Sequence, residues 1–321
     1  MERFEPRKFV ARKIQALRSH ASGKRVIVAV SGGIDSMVCF EIARNATIKQ
    51  EGQTIPFIID TGLMRQNEVK QTEEYFRKKY NIELQRWDKQ NEFISALKGI
   101  VSPEEKRKTF RDIFYRIISQ AMRSYAADIL VQGTILSDII ETQKGIKTHF
   151  NVLHEAGINP ANYGLSLFEP LKELTKSRVR MVARSFAIPP KFLRIQPFPG
   201  PGFALRITGE VTFERVAKIR KATEIVESEL MSPKIFQGFP VLLTDKATGI
   251  QNESAFVGDI IAIRIVESKD SLSARSYRIP WIKMDKIAKR ILTEIPGIAR
   301  VLYDVTSKPP GTIEFCICFI L

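Results

Sequence analysis

The sequence predicts an α/β protein: a doubly wound parallel sheet followed by a smaller C-terminal α+β domain. Three observations carry this. Short apolar runs at 25–30, 55–60, 82–87 and 129–133 alternate with amphipathic segments, the pattern of parallel strands joined by helices on both faces of a sheet. The first run leads through Ser31-Gly32-Gly33-Ile34-Asp35-Ser36 into a helix, so a glycine loop lies at a strand's carboxyl end, where such sheets bind ligands. Beyond residue 189 prolines and glycines break the alternation, and the later strands lack βαβ spacing.

Each element has its own reason. Residues 6–20 carry Phe9, Val10, Ile14 and Leu17 at helical spacing among basic residues, an amphipathic helix expected to cover the sheet. Strand 25–30 precedes a helix at Met37–Ala46. The buried strand Ile55–Asp60 is followed by a helix at 66–79, and a third strand spans 82–87. Ser102 before Pro103-Glu104-Glu105 is a capping-box start for a helix reaching about Tyr125, and Ile129–Gly133 is a further strand. Periodicity fails from Glu141 to Asn162. A loop that long within a compact domain is expected to be functional, here a lid. A helix at Thr175–Phe186 closes the first unit. Pro189, Pro190, Pro197, Pro199 and Pro201, with Gly200 and Gly202, cannot be helix interior. They predict a rigid connection over 191–202 between a domain of residues 1–190 and one of residues 203–321. In the second, helices are expected at 212–229 and 283–293. Strands are expected near 234–243, 258–267, 298–305 and 312–320, the last placing Cys316 and Cys318 on one face.

Of 321 residues, 44% are hydrophobic and 26% charged, an ordinary soluble balance. No apolar run could cross a bilayer and the start lacks a signal-peptide core, so a cytoplasmic protein without membrane attachment is expected. Three cysteines and three histidines form neither a disulfide framework nor a zinc pattern. The net charge of +15 favours anionic partners without choosing among them. No RRM, KH or zinc-ribbon pattern is present, and nucleic acid is not expected.

The chemistry concentrates in the first loop. Two successive glycines can both take positive φ, letting backbone N–H groups converge on an anion, with the dipole and free N–H groups of the next helix adding to the pull. Ser31 and Ser36 bring hydroxyls, and Asp35 beside a polyphosphate makes sense as a ligand of an intervening magnesium ion. Neither G-x-x-x-x-G-K-[ST] nor G-x-G-x-x-G fits, which removes the P-loop NTPase and dinucleotide readings. S-G-G-x-D-S directly after a strand resembles the PP-loop of the N-type ATP pyrophosphatases, the adenine nucleotide alpha-hydrolase type of sheet, enzymes that release pyrophosphate and adenylylate a substrate.

Further motifs extend the resemblance over nearly the whole chain. Asp60-Thr61-Gly62-Leu63-Met64-Arg65, Glu104-Glu105-Lys106-Arg107-Lys108, Gln132-Gly133-Thr134 with Asp138-Ile139-Ile140-Glu141, and Ile146-Lys147-Thr148-His149 come first. The Pro197–Gly202 run, Gly209-Glu210-Val211-Thr212, and Thr306-Ser307-Lys308-Pro309-Pro310 with Thr312-Ile313-Glu314 follow, in the order of the GMP synthetase family. The resemblance implies amination of xanthosine 5'-monophosphate (XMP) at the expense of ATP, with Mg2+. It implies that Ser31, Gly32, Gly33, Ile34, Asp35 and Ser36 bind ATP, that Asp35 orients the metal, and that Asp60 to Leu63 flank adenine and ribose. Lys147 would close over the phosphates, with His149 beside it as a further catalytic candidate. Arg107, Gly133, Pro199, Lys308, Ile313 and Glu314 would form the XMP site, and residues 203–321 would mediate a homodimer.

Three departures stand out. His149 is followed by Phe150-Asn151-Val152-Leu153 rather than by a second histidine, Ile195-Gln196 separates Arg194 from the proline run, and the chain continues past Glu314 with an apolar tail. Competing readings are a PP-loop enzyme that modifies tRNA and a catalytically silent nucleotide-binding subunit. The first lacks a reactive-cysteine or RNA-module signal, and the second sits badly with an intact Asp35 and Lys147. No cysteine lies in a Gly-x-Cys-x-Gly elbow, so ammonia is expected from a separate class I glutamine amidotransferase subunit.

Overall fold

The computed structural model describes residues 4–48, 53–143, 159, 161, 164–193, 195–230, 232–268 and 273–316. Five parallel strands, β1 (Val26–Ala29), β2 (Thr54–Asp60), β3 (Gln85–Asp88), β4 (Ile129–Val131) and β5 (Leu167–Phe168), lie in the order β3-β2-β1-β4-β5. Alternation along β1 defines the two layers that cover the sheet. Val26 and Val28 face α1 (Pro6–His20), α2 (Ile34–Thr47), α3 (Glu68–Tyr80) and α7 (Lys176–Ser185), packing with Phe9, Leu17, Phe40, Phe76 and Val179. Ile27 faces the other way, with Phe57, Leu130 and the side chains of α4 (Gln90–Ala96) and α5 (Pro103–Ser124). Both faces of the central strands β2, β1 and β4 are therefore covered, and these strands read as near-continuous apolar runs.

Two short helices, α6 (Leu136–Gln143) and α8 (Pro190–Leu193), and a 3-10 turn at Gly202–Leu205 lead toward the second half. There, α9 (Phe213–Glu229) and α10 (Trp281–Glu294) pack on a sheet of β6 (Gln237–Gln251), β7 (Ser254–Glu267), β8 (Arg275–Ser276) and β9 (Ile298–Asp304). β7 pairs antiparallel with β6 and β8 and parallel with β9. Phe203, Ile207, Val216, Ile219, Leu242, Ile261 and Ile287 belong to the same apolar cluster as Ile27, Phe57 and Tyr115. Each such side chain contributes about 1.5–3 kcal/mol on burial. The two halves thus meet through shared core.

Several expectations change. The third strand is 85–88 rather than 82–87, a polar edge strand that no periodicity marks. α2 begins at Ile34, directly after the glycines, instead of at Met37. α6 takes in Glu141 to Gln143, where the loss of periodicity had predicted lid. β6 and β7 run far beyond 243 and before 258, because Asn252 and Glu253, with φ of 49° and 62°, turn a two-residue hairpin whose outer half is largely exposed. The strand expected at 312–320 does not form over its described part, 312–316. Arg264 there occupies the carbonyls of Thr312 and Ile313 with its guanidinium, so they are not available to a ladder. Cys316 accordingly lies off any strand, and Cys318 falls outside the described residues. No helix among the described residues is long and apolar enough to cross a membrane.

Candidate active site

The loop after β1 closes on itself before it offers anything to a ligand. Gly32 holds φ +79°, and a Cβ there would stand 2.7 Å from the Thr72 hydroxyl oxygen, so glycine is required. Gly33 does not repeat this. At φ −73° and ψ 151° it is the extended N-cap of α2, correcting the expectation of two left-handed glycines. The Ser31 N–H donates to Ser36 Oγ (3.1 Å), Ser36 Oγ donates to the Gly33 carbonyl (2.9 Å), and the two hydroxyls lie 3.2 Å apart. Ile34 turns its side chain into the core, leaving only its backbone to face the loop's mouth.

Asp35, in the first turn of α2, accepts a hydrogen bond on Oδ2 from Lys176 Nζ at 2.6 Å. Its side chain keeps 26% of its surface, yet Oδ1 is enclosed without a hydrogen-bond partner among the described residues. An enclosed, uncommitted carboxylate oxygen is the donor a cation would take, so the residues fit a magnesium ion here. Burial pushes the Asp35 carboxyl above its usual range against the pull of Lys176, and the nearby Asp138 acts in the same direction. Among the described residues no three His, Cys, Asp or Glu side chains cluster for a metal. Gly133, just past β4, packs tightly here: a Cβ would meet Asp35 Cβ at 3.1 Å and Ser36 N at 3.3 Å. Glycine at this position thus leaves room for the Asp35 side chain and the start of α2.

The turn after β2 is committed to its own shape. Asp60 is buried; its Oδ1 accepts from Gly62 N–H (3.0 Å) and its Oδ2 from Arg86 (2.7 Å) and Gln90 (3.3 Å). Leu63 is fully buried, and its carbonyl accepts from Phe203 N–H at 2.9 Å. Pro199 is buried in the connection, its carbonyl accepting from Gly202 N–H at 2.8 Å. The Asp60 side chain and the Leu63 carbonyl are thus engaged in holding the turn and its junction with the connection.

A third group surrounds the start of α5. Lys106 and Arg107 are both buried, although their run with Lys108 is strongly basic. Lys106 Nζ donates to the carbonyls of Ala204 (3.2 Å) and Ile207 (2.7 Å), and burial lowers it to about 8. Cys316 lies beside these cations, its thiol pushed up by burial. On the same tail Glu314 is buried and accepts from Arg206 (3.2 and 3.4 Å) and Gln237 (2.7 Å). Ile313 packs with Val266 and Ala274, and Lys308 pairs its backbone with Ala274. Ile313 and Glu314 therefore anchor the tail through their side chains. Lys147 and His149 lie outside the described residues.

The structure brings Ser31 to Ser36 together with Gly133, joins Leu63 to the Pro199–Gly202 run, and sets Arg107 near the tail. Sequence reasoning misses Lys176, whose only signal is a lysine at the start of a basic helix. Asp138, which accepts from Ile135 N–H at 3.2 Å, stands within a motif that gave it no role.

A parallel sheet with this loop at its carboxyl edge defines an enzyme of the PP-loop class, and residues 6–186 match the PP-loop domain family. Residues 223–315 match the GMP synthase C terminal domain. The chain is 44% identical, over 96% of its length and 98% of the relative's, to a subunit of the glutamine-hydrolyzing GMP synthase of Archaeoglobus fulgidus. It is 40% identical to the same subunit of the enzymes of Methanocaldococcus jannaschii (97% of this chain, 99% of the relative) and Pyrococcus abyssi (96% and 98%). The chain belongs to this family of GMP synthase subunits, ligases with an ATP pyrophosphatase domain.

Proposed function

We propose that the chain converts XMP, ATP and ammonia to GMP, AMP and pyrophosphate through an adenylyl-XMP intermediate. The C2 oxygen of XMP attacks the α-phosphorus of ATP, pyrophosphate leaves, and ammonia then displaces AMP at C2. Such a transfer depends on positioning and on the handling of negative charge more than on covalent help. In this reading the Ser31–Ser36 loop and the α2 N-terminus receive the leaving pyrophosphate. Asp35 holds Mg2+, which when bound neutralises phosphate charge, and Lys176 steadies the Asp35 carboxylate. The Asp60–Leu63 turn shapes the adenine and ribose pocket. Lys147 closes over the phosphates with His149 beside it. Arg107 and Lys308 serve the XMP phosphate, while Gly133, Pro199, Ile313 and Glu314 set the walls. The halves divide at 191–202.

The observation that carries this reading is Asp35, whose enclosed and uncommitted Oδ1 lies in a glycine-loop mouth at the carboxyl end of β1. Ammonia comes from a separate class I glutamine amidotransferase subunit, in keeping with relatives that are each one subunit of a glutamine-hydrolyzing enzyme. A cytoplasmic homodimer is proposed, formed through the second half, where Ile250, Val257, Trp281, Ile282 and Val305 are each at least 70% exposed. The test is pyrophosphate release from ATP with ammonium present. Release that requires XMP is expected; release driven by bulk tRNA instead would reject the synthetase reading.

A further inference from the structure

The end of β2, the connection and the tail meet at one aromatic ring. Phe198 packs against two guanidinium groups, with Arg65 Cζ 4.3 Å and Arg206 Cζ 4.6 Å from its centroid. Phe203 meets its edge at 5.2 Å and 88°, and Arg206 also lies over Phe239 at 4.2 Å. Each cation is fixed at its outer end. Arg65 donates to Glu227 (2.8 Å) and to the Gln196 carbonyl (3.1 Å), while Arg206 binds Glu314. Gln237 ties Glu314 back to the Pro197 carbonyl (2.7 and 3.0 Å). Arg220 from α9 adds a further tether, donating to the carbonyls of Met64 and Gly62.

Buried ion pairs such as Arg206–Glu314 are weak sources of stability, since well-packed apolar side chains of similar volume often serve as well. What the arrangement supplies is a fixed relation between parts. Arg65 follows the Asp60–Leu63 turn assigned to the nucleotide by two residues, and Arg206 holds, through Glu314, the tail that carries Lys308. Both arginines pack on the same ring, so the two parts are joined by contiguous contact through Phe198.

We propose that Phe198 is a positioning residue that couples the nucleotide half of the site to the XMP half. The inference rests on the synthetase reading. Its test uses the full chain and an ATP analogue with a methylene between the α and β phosphates, bound calorimetrically with and without XMP. In the wild type, XMP is expected to tighten analogue binding within the usual range of about 5- to 150-fold, with the same factor read from the XMP side. In Phe198→Leu, analogue affinity alone is expected to stay within about twofold of wild type while the coupling factor falls to about one. Phe198→Tyr should restore coupling. Arg65→Lys, which keeps the charge but not the planar group, should reduce it and covers the case in which Phe198→Leu fails to fold. Unchanged coupling in Phe198→Leu, or in Arg65→Lys where the first variant is unfolded, would overturn the role while leaving the synthetase reading intact. A wild type that releases pyrophosphate with XMP but shows no coupling would do the same. A wild type that neither binds XMP nor releases pyrophosphate with it would overturn the reading and the role together.

Discussion

Gly23 and Gly202 share a backbone conformation, with φ of 68° and 60°, but not an environment, so alanine at the two positions separates strain from crowding. At Gly23 an added Cβ meets nothing within 4 Å, and the cost should be the left-handed penalty alone, about 1–2 kcal/mol. At Gly202 the Cβ would lie 2.9 Å from the Leu63 carbonyl carbon and 3.0 Å from Leu63 Cβ, deep inside contact with the carbonyl oxygen. These are mainly backbone atoms at the end of a buried turn and cannot rotate away. Relief requires the connection to move off β2, breaking the buried bond from Phe203 N–H to the Leu63 carbonyl (2.9 Å). An unsatisfied buried group adds about 1–3 kcal/mol, so Gly202→Ala should cost about 2–5 kcal/mol in all. Urea unfolding of both variants against wild type, with slopes compared, measures the difference. Losses that agree to within about 0.5 kcal/mol, the usual scatter of neutral surface changes, would refute the claim that the close approach at Leu63 is real.

Asp35→Asn should leave the fold intact and cut XMP-dependent pyrophosphate release by about 10²-fold or more, with Lys176→Met lowering it less; Lys147→Ala should likewise stay folded and release little. Near-normal release by Asp35→Asn would remove the role given to that carboxylate. Lys106, held at about 8 when folded against 10.5 in the free side chain, binds its proton more tightly in the unfolded chain. Stability of the wild type relative to Lys106→Met should therefore rise as pH climbs from about 8 to 10.5, and urea midpoints at three pH values will show whether it does. The purified chain should make GMP from ammonium but not from glutamine until a glutaminase subunit is added; steady synthesis from glutamine alone would count against a separate ammonia source. Light scattering at micromolar concentration should report a dimer, and a monomer would remove the interface proposed for the second half.

The sequence exposed the parts whose physics is local. The Ser31–Ser36 loop, the capped start of α5 and the strands β1, β2 and β4 could be read directly, because periodicity, capping and glycine spacing are properties of neighbours. Ser102 accepts from Glu105 N–H as the capping pattern implied. What stayed hidden depends on partners distant in the chain. Lys176 reaches Asp35 across 141 positions, and nothing near Lys106 in the sequence announces that the carbonyls of residues 204 and 207 will hold its ammonium. β5 is two residues long, too short for any pattern, and in the outer half of β6, Thr244 to Gln251, Ala247 and Ile250 stand three apart, which is not the two-residue alternation of a strand.

The apolar cluster shared by both halves bears on how the chain is made. As it leaves the ribosome, the first half can complete the layer formed by α1, α2, α3 and α7 from its own residues, since that cluster draws only on positions up to Leu193. The opposite layer cannot be finished then. Ile27, Phe57, Tyr115 and Ile117 await Phe203, Ile207, Val216 and Ile287, which are synthesised later. Until they arrive, a nascent chain carries an apolar surface that a neighbouring nascent chain could cover instead. The order of synthesis thus makes the last third of the sequence the step that closes both halves at once, and a chain cut short before it would emerge with its sheet sealed on one side only.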